Sequence, residues 1–330
     1  MWKTEIERLA LLELLMSGTL KKRAGQAEAF QALSELPWTR ATGRKLEIKL
    51  VKDRRSELEA LLGRVWPEWQ IDLAELTDRE LPPTPEGWNR LLDMRRAAQL
   101  PQMPERVNRR TAAALAAPHS KAELTNERRL ALGNVQATHD GLVRLRPPSG
   151  FGARTKRGTL DLSAIASVLG EVAIPERAFL DGLQFDGDLQ AVLLVENLGA
   201  WRDLPAPSGW LLVHVPGWNT TTSALLLERL APNVPVIHFG DLDPNGLRIY
   251  MHLRERRPNL KWFVPEFWSE YIDNHGRPTQ WPMDLDTNSA PHLVRTLAAR
   301  GLWLEQECIV LDARTEKALI TIAVEFGRRA

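Results

Sequence analysis

From about residue 188 onward the sequence alternates short apolar runs with segments of helical periodicity, and this pattern restricts the possible folds more than any other feature. AVLLVEN, WLLVHVPGW and VPVIHFGDLD show little polar alternation, which is typical of strands buried on both faces. Helical segments such as TTTSALLLERLA and PNGLRIYMHLRER separate or follow them. The order predicts an α/β fold with a Rossmann-like parallel sheet and helices on both faces.

Carboxylates follow two of these strands. Glu196 ends the first apolar run, and Asp241 and Asp243 follow a later one. Because ligands of parallel sheets bind at the carboxyl ends of the strands, we expect the three side chains to meet at one edge. Crowded carboxylates repel one another, and a bound divalent cation relieves that repulsion. An all-oxygen site favours Mg²⁺ or Mn²⁺, which can polarise a phosphodiester.

The string GDLDPNG at 240–246 is open to two other interpretations. It fills four of the five side-chain and glycine positions that a calcium-binding EF-hand loop requires, but His252 stands where that loop needs a bidentate glutamate. In a haloacid-dehalogenase-type phosphatase, Asp241 would attack phosphorus and Asp243 would act as acid or base. The pair lies late in the chain, however, and lacks the usual hydroxyl residue after it.

Residues around the aspartates have expected roles of their own. Gly240 would let the backbone approach a metal closely, and Asn245 and Gly246 would form the turn into the next helix and cap it. His214 and His238 lie within apolar strands, so we expect hydrogen-bonded core histidines. Trp201 and Trp218 follow strand ends, where they could line the cleft.

The first half of the chain is predicted to be mainly helical. A Thr4 cap precedes the amphipathic segment EIERLALLELLM, and KLEIKLV alternates as a strand. The proline-rich segment 80–88 is a candidate linker. We predict three domains, namely a helical, winged-helix-like arm over 1–100, a winged-helix DNA-binding module over 101–165, and an α/β catalytic domain over 166–330.

Charge is distributed unevenly along the chain. Residues 1–160 carry 28 basic and 20 acidic side chains, whereas residues 161–330 carry 15 and 22, so the net charges are +8 and −7. This asymmetry is compatible with a DNA-binding half, although a solvated surface would give the same pattern. The candidate phosphate contacts are Lys45, Arg54, Arg55, Arg109, Arg110, Arg154, Lys156 and Arg157.

Composition excludes several classes. Cys308 is the single cysteine, so neither an intrachain disulfide nor a cysteine-based zinc cluster can form. No apolar run approaches the roughly 20 residues that a membrane helix needs. We therefore expect a soluble, cytoplasmic protein that does not bind membranes.

Together these motifs resemble a known family. VEN at 195–197, HVPGW, HFGDLDPNGLRIYMHLRERRP and WLEQE at 303–307 are similar to the C-terminal domain of the JetD (MksG) family, the nuclease subunits of Wadjet plasmid defence, over roughly 160–310. The resemblance implies a Toprim fold beside a winged-helix module like that of the topoisomerase VI A subunit. It makes Asp241 and Asp243 Mg²⁺ or Mn²⁺ ligands and Glu196 a ligand or general acid/base. Glu307 would be either an outer metal ligand or a structural acid.

The resemblance also implies partners and an activity. These are homodimerisation, an SMC–kleisin–winged-helix complex, and metal-dependent cleavage of double-stranded DNA. Topoisomerase VI A subunits use a tyrosine upstream of the Toprim domain, but Tyr250 and Tyr271, the two tyrosines here, both follow the aspartates. Hydrolysis by metal-activated water is therefore favoured over a covalent topoisomerase reaction. A DNA-binding adaptor with a vestigial Toprim fold is the non-enzymatic alternative.

Overall fold

The computed structural model describes residues 2–217 and 221–327. By its internal contacts the chain divides into two compact units, Met1–Ala137 and Thr138–Ala330. This division falls inside the segment 101–165, and the three-domain boundaries stay a prediction. Trp218 lies outside the described residues.

The first unit is mainly helical. Its helices are α1 Glu5–Ser17, α2 Ala27–Ser34, α3 Arg55–Val65, α4 Trp69–Asp78, α5 Pro85–Ala98, α6 Arg109–Ala116 and α7 Asn126–Ala131, with a 3₁₀ turn at Ala24–Gln26. Its strands are β1 Thr19–Lys21, β2 Thr39–Ala41, β3 Glu47–Leu50, β4 Arg106–Asn108 and β5 Gln136–Thr138. The first three strands form an antiparallel sheet in the order β1-β3-β2.

Helix α1 begins where the sequence predicted. The Thr4 side chain accepts a hydrogen bond from the Glu7 backbone N–H at 3.2 Å, and the Glu7 carboxylate accepts one from the Thr4 N–H, which completes a capping box. The helix is more deeply buried than the predicted amphipathic one, because its six residues Leu9–Leu12, Leu14 and Leu15 all lie in the core. The proline-rich segment 80–88 belongs to the same unit, since Trp88 is buried in that core.

The second unit is a mixed α/β structure. Its strands are β6 Leu142–Arg146, β7 Gly152–Thr155, β8 Gly158–Asp161, β9 Val172–Pro175, β10 Gln184–Asp186, β11 Ala191–Val195, β12 Trp210–His214, β13 Val236–Phe239, β14 Lys261–Trp262, β15 Arg277–Pro278 and β16 Leu302–Trp303. Its helices are α8 Leu162–Leu169, α9 Glu176–Leu180, α10 Leu198–Asp203, α11 Thr221–Leu227, α12 Pro244–Arg256, α13 Ile272–His275, α14 His292–Arg300 and α15 Thr315–Gly327, with 3₁₀ turns at Glu266–Tyr271 and Gln306–Ile309.

Six strands form the central sheet in the order β14-β13-β11-β12-β6-β9. The first four are parallel, but β6 is antiparallel to β12 and β9 is antiparallel to β6. The sheet is therefore mixed, which corrects the all-parallel prediction. The burial patterns explain the difference, because β11 is buried throughout whereas the edge strand β9 is largely solvent-accessible, as antiparallel edge strands often are.

Both faces of the sheet are covered, as predicted. Leu193 and Val195 of β11 pack on one side in a cluster that includes Trp201 and Trp268. Residues Val192 and Leu194 of the same strand pack on the other side, against a second cluster. This alternation holds the strand rigidly, so the residue that follows it has a defined position.

Two segments assigned to the winged-helix module lie in this second unit. Strand β6 pairs with β12 in the central sheet. The predicted basic loop at 149–159 is a β-hairpin, because β7 pairs with β8 and positive φ at Gly158 (144°) allows the tight return. None of the helices within the described ranges is long and apolar enough to cross a bilayer.

Candidate active site

The carboxyl ends of β11 and β13 form a crevice. The chain leaves β11 for β12 on one side and returns past it to β13 on the other, so the strand order reverses between β11 and β13. A reversal of this kind separates the neighbouring connections and leaves an open crevice at the strand ends. Glu196 directly follows β11 and Asp241 lies two residues beyond β13; the backbone N–H of Glu196 donates to the Phe239 carbonyl at 3.0 Å.

The surroundings of Glu196 in this crevice disfavour its charged form. Its Oε2 is buried and has no hydrogen-bond partner within the part of the chain that the structure describes. Burial, followed by the charges of Asp241 and Asp243, raises the pKa of Glu196 to about 8. These surroundings favour the protonated carboxyl group, and a bound cation would favour the carboxylate.

Asp241 is held by donors from two other segments. Its Oδ1 accepts from the Gln306 backbone N–H at 2.8 Å, and the Asn197 Nδ2 lies 3.1 Å from each of its carboxylate oxygens. Burial raises the pKa of Asp241 to about 6 despite these donors, and the charge of Glu307 adds to the increase. The carboxylate is thus oriented by hydrogen bonds while remaining easy to protonate.

Asp243 has a structural task as well as a place in the crevice. It is the N-cap of α12, and its Oδ1 accepts from the Gly246 backbone N–H at 2.6 Å, with Pro244 in the first turn. Asp243 is therefore the cap, whereas Asn245 and Gly246 belong to the first helical turn, which corrects the predicted turn. A helix that begins at Pro244 also excludes a twelve-residue calcium loop from Asp241 to His252.

Two glycines allow this close arrangement. A Cβ on Gly246 would lie 2.1 Å from the Asp241 carbonyl oxygen. A Cβ on Gly240 would lie 2.5 Å from His238 Nε2 and 2.7 Å from Glu196 Oε2. Real Cβ atoms do not approach backbone so closely, so position 246 requires glycine, whereas a Cβ at position 240 would displace the side chain of His238 or Glu196. The expected approach of Gly240 to a metal stays a prediction.

The LEQE segment is joined to the aspartate loop by the backbone. Leu242 N–H donates to the Leu304 carbonyl at 2.9 Å in an isolated antiparallel bridge. The Gln306 side chain is fully buried, and with its amide suitably oriented it donates to the Phe239 carbonyl at 3.2 Å and accepts from Asn197 N–H at 3.0 Å. The segment 304–307 thereby closes one side of the crevice.

Sequence reasoning missed Asn197 and Gln306. The Asn197 amide also donates to Glu307 Oε2 at 3.0 Å, so one side chain links two carboxylates. Both residues stand inside motifs that carried the family resemblance, VEN and LEQE, but only their neighbouring acids were considered. We name Glu196, Asp241, Asp243 and Glu307 the carboxylate cluster.

The donor atoms of the carboxylate cluster are of the type that binds a divalent cation, but the side chains are not arranged as a complete metal site. Within residues 2–217 and 221–327, no three His, Cys, Asp or Glu side chains are arranged so that they could hold a metal ion. The available donors are nevertheless all oxygens, Glu196 Oε2 is buried without a partner, and the pKa of Glu196, Asp241 and Asp243 is raised. A hard cation would neutralise these carboxylates, so the chemistry of the donor set fits Mg²⁺ or Mn²⁺.

Several other candidates occupy different surroundings from those predicted. Trp201 is fully buried in the core and does not line the crevice. His238 is buried, but both ring nitrogens lack partners among the described residues, so the expected hydrogen-bonded core histidine is wrong. The tyrosine hydroxyls are engaged, that of Tyr250 with the Leu260 carbonyl at 3.4 Å and that of Tyr271 with Asp312 Oδ2 at 2.8 Å.

The predicted DNA contacts divide between the two units. Lys45, Arg54, Arg55, Arg109 and Arg110 lie in the first unit, and Arg154, Lys156 and Arg157 in the second. Three of them already pair with acids, since Arg54 contacts Glu57, Arg55 contacts Glu59, and Arg154 contacts Asp186. Lys156 and Arg157 are exposed at the turn of the β7–β8 hairpin.

Fold and site define an α/β protein with a carboxylate cluster at the switch point of its central sheet. Residues 157–318 match the family described as Wadjet protein JetD, C-terminal. The chain belongs to the JetD family, as its motifs predicted, and membership supports involvement in the Wadjet defence system. No curated protein matches the chain.

Proposed function

We propose that this protein is a Mg²⁺- or Mn²⁺-dependent Toprim endonuclease that cleaves double-stranded, plasmid DNA. The observation that carries the proposal is the carboxylate cluster at the switch point, in which burial and mutual repulsion raise the pKa of Glu196 to about 8. Carboxyl groups in a crevice whose pKa is raised by burial and by neighbouring charges are typical of sites that bind a cation or transfer a proton.

Within this proposal, Asp241, Asp243 and Glu196 would hold the cation, and Glu307 would be an outer ligand. A bound Mg²⁺ or Mn²⁺ supplies Lewis acidity and charge neutralisation at a phosphodiester. Asn197 and the Gln306 backbone keep the Asp241 carboxylate oriented. Glu196 can accept or donate a proton near the scissile phosphate, because its raised pKa lies close to neutrality.

The strand arrangement supports the Toprim assignment. In Toprim domains a glutamate follows one strand and a DxD motif follows a later one, and here Glu196 follows β11 and Asp241 follows β13, its direct parallel neighbour. Tyrosine is absent from residues 1–249, which favours hydrolysis over a covalent topoisomerase mechanism. The winged-helix module upstream belongs to the same proposal.

The proposal also includes partners, which the family match suggests. The protein would act as the nuclease subunit of an SMC–kleisin–winged-helix complex in the cytoplasm, as a homodimer that receives DNA from the motor. Family membership, with its connection to a multi-subunit Wadjet system, supports this part of the proposal.

Cleavage of circular DNA tests the proposal. Wild-type protein, alone and with its SMC partners, is incubated with supercoiled plasmid and Mg²⁺ or Mn²⁺, and the conversion to nicked or linear DNA is followed on gels. We expect metal-dependent cleavage that Asp241→Ala abolishes, with EDTA as a control. Equal cleavage by wild type and Asp241→Ala would show that the site is assigned wrongly.

One observation favours a second candidate, a DNA-binding adaptor with a vestigial Toprim fold. It is the lack, in the described ranges, of a preformed group of three metal-ligating side chains. The adaptor predicts salt-sensitive DNA binding without Mg²⁺ or Mn²⁺ binding. Calorimetric titration of wild-type protein with Mn²⁺ distinguishes the two, because only the nuclease requires a metal site.

A further inference from the structure

His238 has an unusual environment for a core residue. It stands in the third position of β13, is fully buried, and lies beside the aromatic rings of Tyr250 and Trp262, at centroid distances of 6.3 and 6.2 Å. Neither ring nitrogen has a hydrogen-bond partner among the described residues. An unpartnered polar group in a core costs stability, and an apolar ring of similar size would fill the same space.

Glu196 Oε2 is also buried and unpartnered, and it lies near the same imidazole. The position of a Cβ on Gly240 would be 2.5 Å from His238 Nε2 and 2.7 Å from Glu196 Oε2. The distance between the two atoms therefore cannot exceed about the sum of these two values, and both atoms border the space that the glycine leaves open. They are close enough for a small side-chain movement to form a hydrogen bond.

We propose that His238 is a positioning residue for Glu196, and that its neutral imidazole donates an Nε2–H hydrogen bond to Glu196 Oε2. This inference rests on the proposed nuclease function, in which Glu196 must present its other oxygen to the crevice. Burial lowers the pKa of His238 to about 3, so the ring is neutral and has a single N–H to give. Gly240 is the residue that allows the two side chains to meet.

Outer residues that orient a metal ligand have a measurable effect, and their loss typically weakens metal binding by 10–100-fold. His238→Phe keeps the ring and removes the donor, whereas His238→Gln keeps a donor near the position of Nε2. We expect His238→Phe to weaken Mn²⁺ binding at least about tenfold, and His238→Gln to restore it to within about threefold of wild type.

Stability provides the readout that separates positioning from packing. His238→Phe keeps the ring but removes both the proposed donor to Glu196 and the unpartnered second nitrogen, so we expect its melting temperature without metal to stay within roughly 3 °C of wild type while its Mn²⁺ affinity falls. A purely structural histidine would lose stability and affinity together. Unchanged Mn²⁺ affinity in His238→Phe, or equal losses in both variants, would overturn the inference.

The tautomer of His238 tests the hydrogen bond without reference to activity. Long-range ¹H–¹⁵N correlation spectra of the full-length, metal-free protein identify which ring nitrogen carries the proton. Protonation at Nε2, with a shift change in Glu196→Gln, supports the inference, and protonation at Nδ1 overturns it. A wild type that binds no Mn²⁺ would instead refute the proposed function, while the tautomer would still decide the hydrogen bond.

Discussion

Two charged clusters at the central sheet of the second unit differ in how their charges are satisfied. Beside β12, Arg144 donates to both oxygens of Glu171 at 2.9 and 2.6 Å, and Arg202 adds a contact at 3.5 Å. The hydrogen bond from Arg144 lowers the pKa of Glu171. In the carboxylate cluster, burial and like charges instead raise the pKa of Glu196 to about 8. Paired charges of the first kind stabilise a fold, whereas crowded carboxylates of the second kind reduce its stability and indicate a functional site.

The largest expected difference between the clusters is in DNA cleavage. Glu196→Gln should reduce metal-dependent cleavage by at least about 100-fold, because it removes the proposed metal ligand and proton carrier. Glu171→Gln is the matched substitution in the paired cluster, and should leave cleavage within a few-fold while lowering the free energy of unfolding by about 1 kcal/mol. Initial cleavage rates and urea denaturation measure the two effects. Loss of activity in Glu171→Gln but not in Glu196→Gln would assign the function to the paired cluster instead of the carboxylate cluster.

A smaller effect is expected at the amide that links two carboxylates. Asn197→Ala removes the donor to Asp241 and Glu307, so Asp241 loses its orientation but remains present. We expect Mn²⁺ binding and cleavage to fall by about tenfold, at the low end for a residue that orients a ligand. Calorimetry and cleavage assays on the same preparation measure this; an effect as large as that of Glu196→Gln would make Asn197 part of the metal site itself.

The two clusters should contribute to the pH dependence of the stability of metal-free protein with opposite signs. Burial and like charges raise the pKa of Glu196 to about 8, and burial raises that of Asp241 to about 6. The folded state therefore binds more protons than the unfolded state between their ordinary values and these raised values, so stability falls as pH rises through that window. We expect the melting temperature in EDTA to decrease by roughly 5 °C from pH 5 to pH 8.

Two variants make this pH profile diagnostic. Glu196→Gln should flatten the profile, because it removes the carboxyl group with the larger shift. Glu171→Gln should keep the slope, since the lowered pKa of Glu171 gives a stabilisation that is lost only when pH falls below the ordinary range of a glutamate. A slope that persists in Glu196→Gln would place its origin elsewhere in the chain.

The smallest predicted effect is at the basic hairpin. Lys156→Ala and Arg157→Ala should each weaken DNA binding a few-fold and reduce the slope of log K against log salt by about 1, if each contacts one phosphate. Arg154→Ala is the control, because Arg154 already pairs with Asp186 at 3.2 Å and should contribute less. Equal slopes for all three variants and the wild type would exclude the hairpin from the DNA interface.

The charge asymmetry shows how a linear division can mislead. Split at residue 160, the chain has net charges of +8 and −7, but the compact units carry 23 basic and 19 acidic residues and 20 and 23, giving only +4 and −3. The difference arises because Arg144, Arg146 and the basic hairpin fold with the second unit. Strand pairing assigned them there, and no local pattern marks that pairing.

Local patterns predicted the elements well. Apolar runs predicted β11, β12 and β13, and Thr4 predicted the start of α1, because burial on both faces and capping depend on neighbouring residues. The placement of Glu196 and Asp241 after their strands was predicted for the same reason. The roles of Asn197 and Gln306 were not predicted, because their hydrogen-bond partners lie in segments that are distant in the sequence.

By itself the sequence determined the apolar strands β11, β12 and β13, which acids follow them, and to which family the chain belongs. Only the tertiary structure decided that β11 lies between β12 and β13 and that β6 and β9 run antiparallel to their neighbours. The physical reason is the range of the interactions. Periodicity and capping act within a few residues, whereas strand order, the unpartnered Glu196 oxygen and the His238 ring near it depend on packing between segments that are distant in the chain.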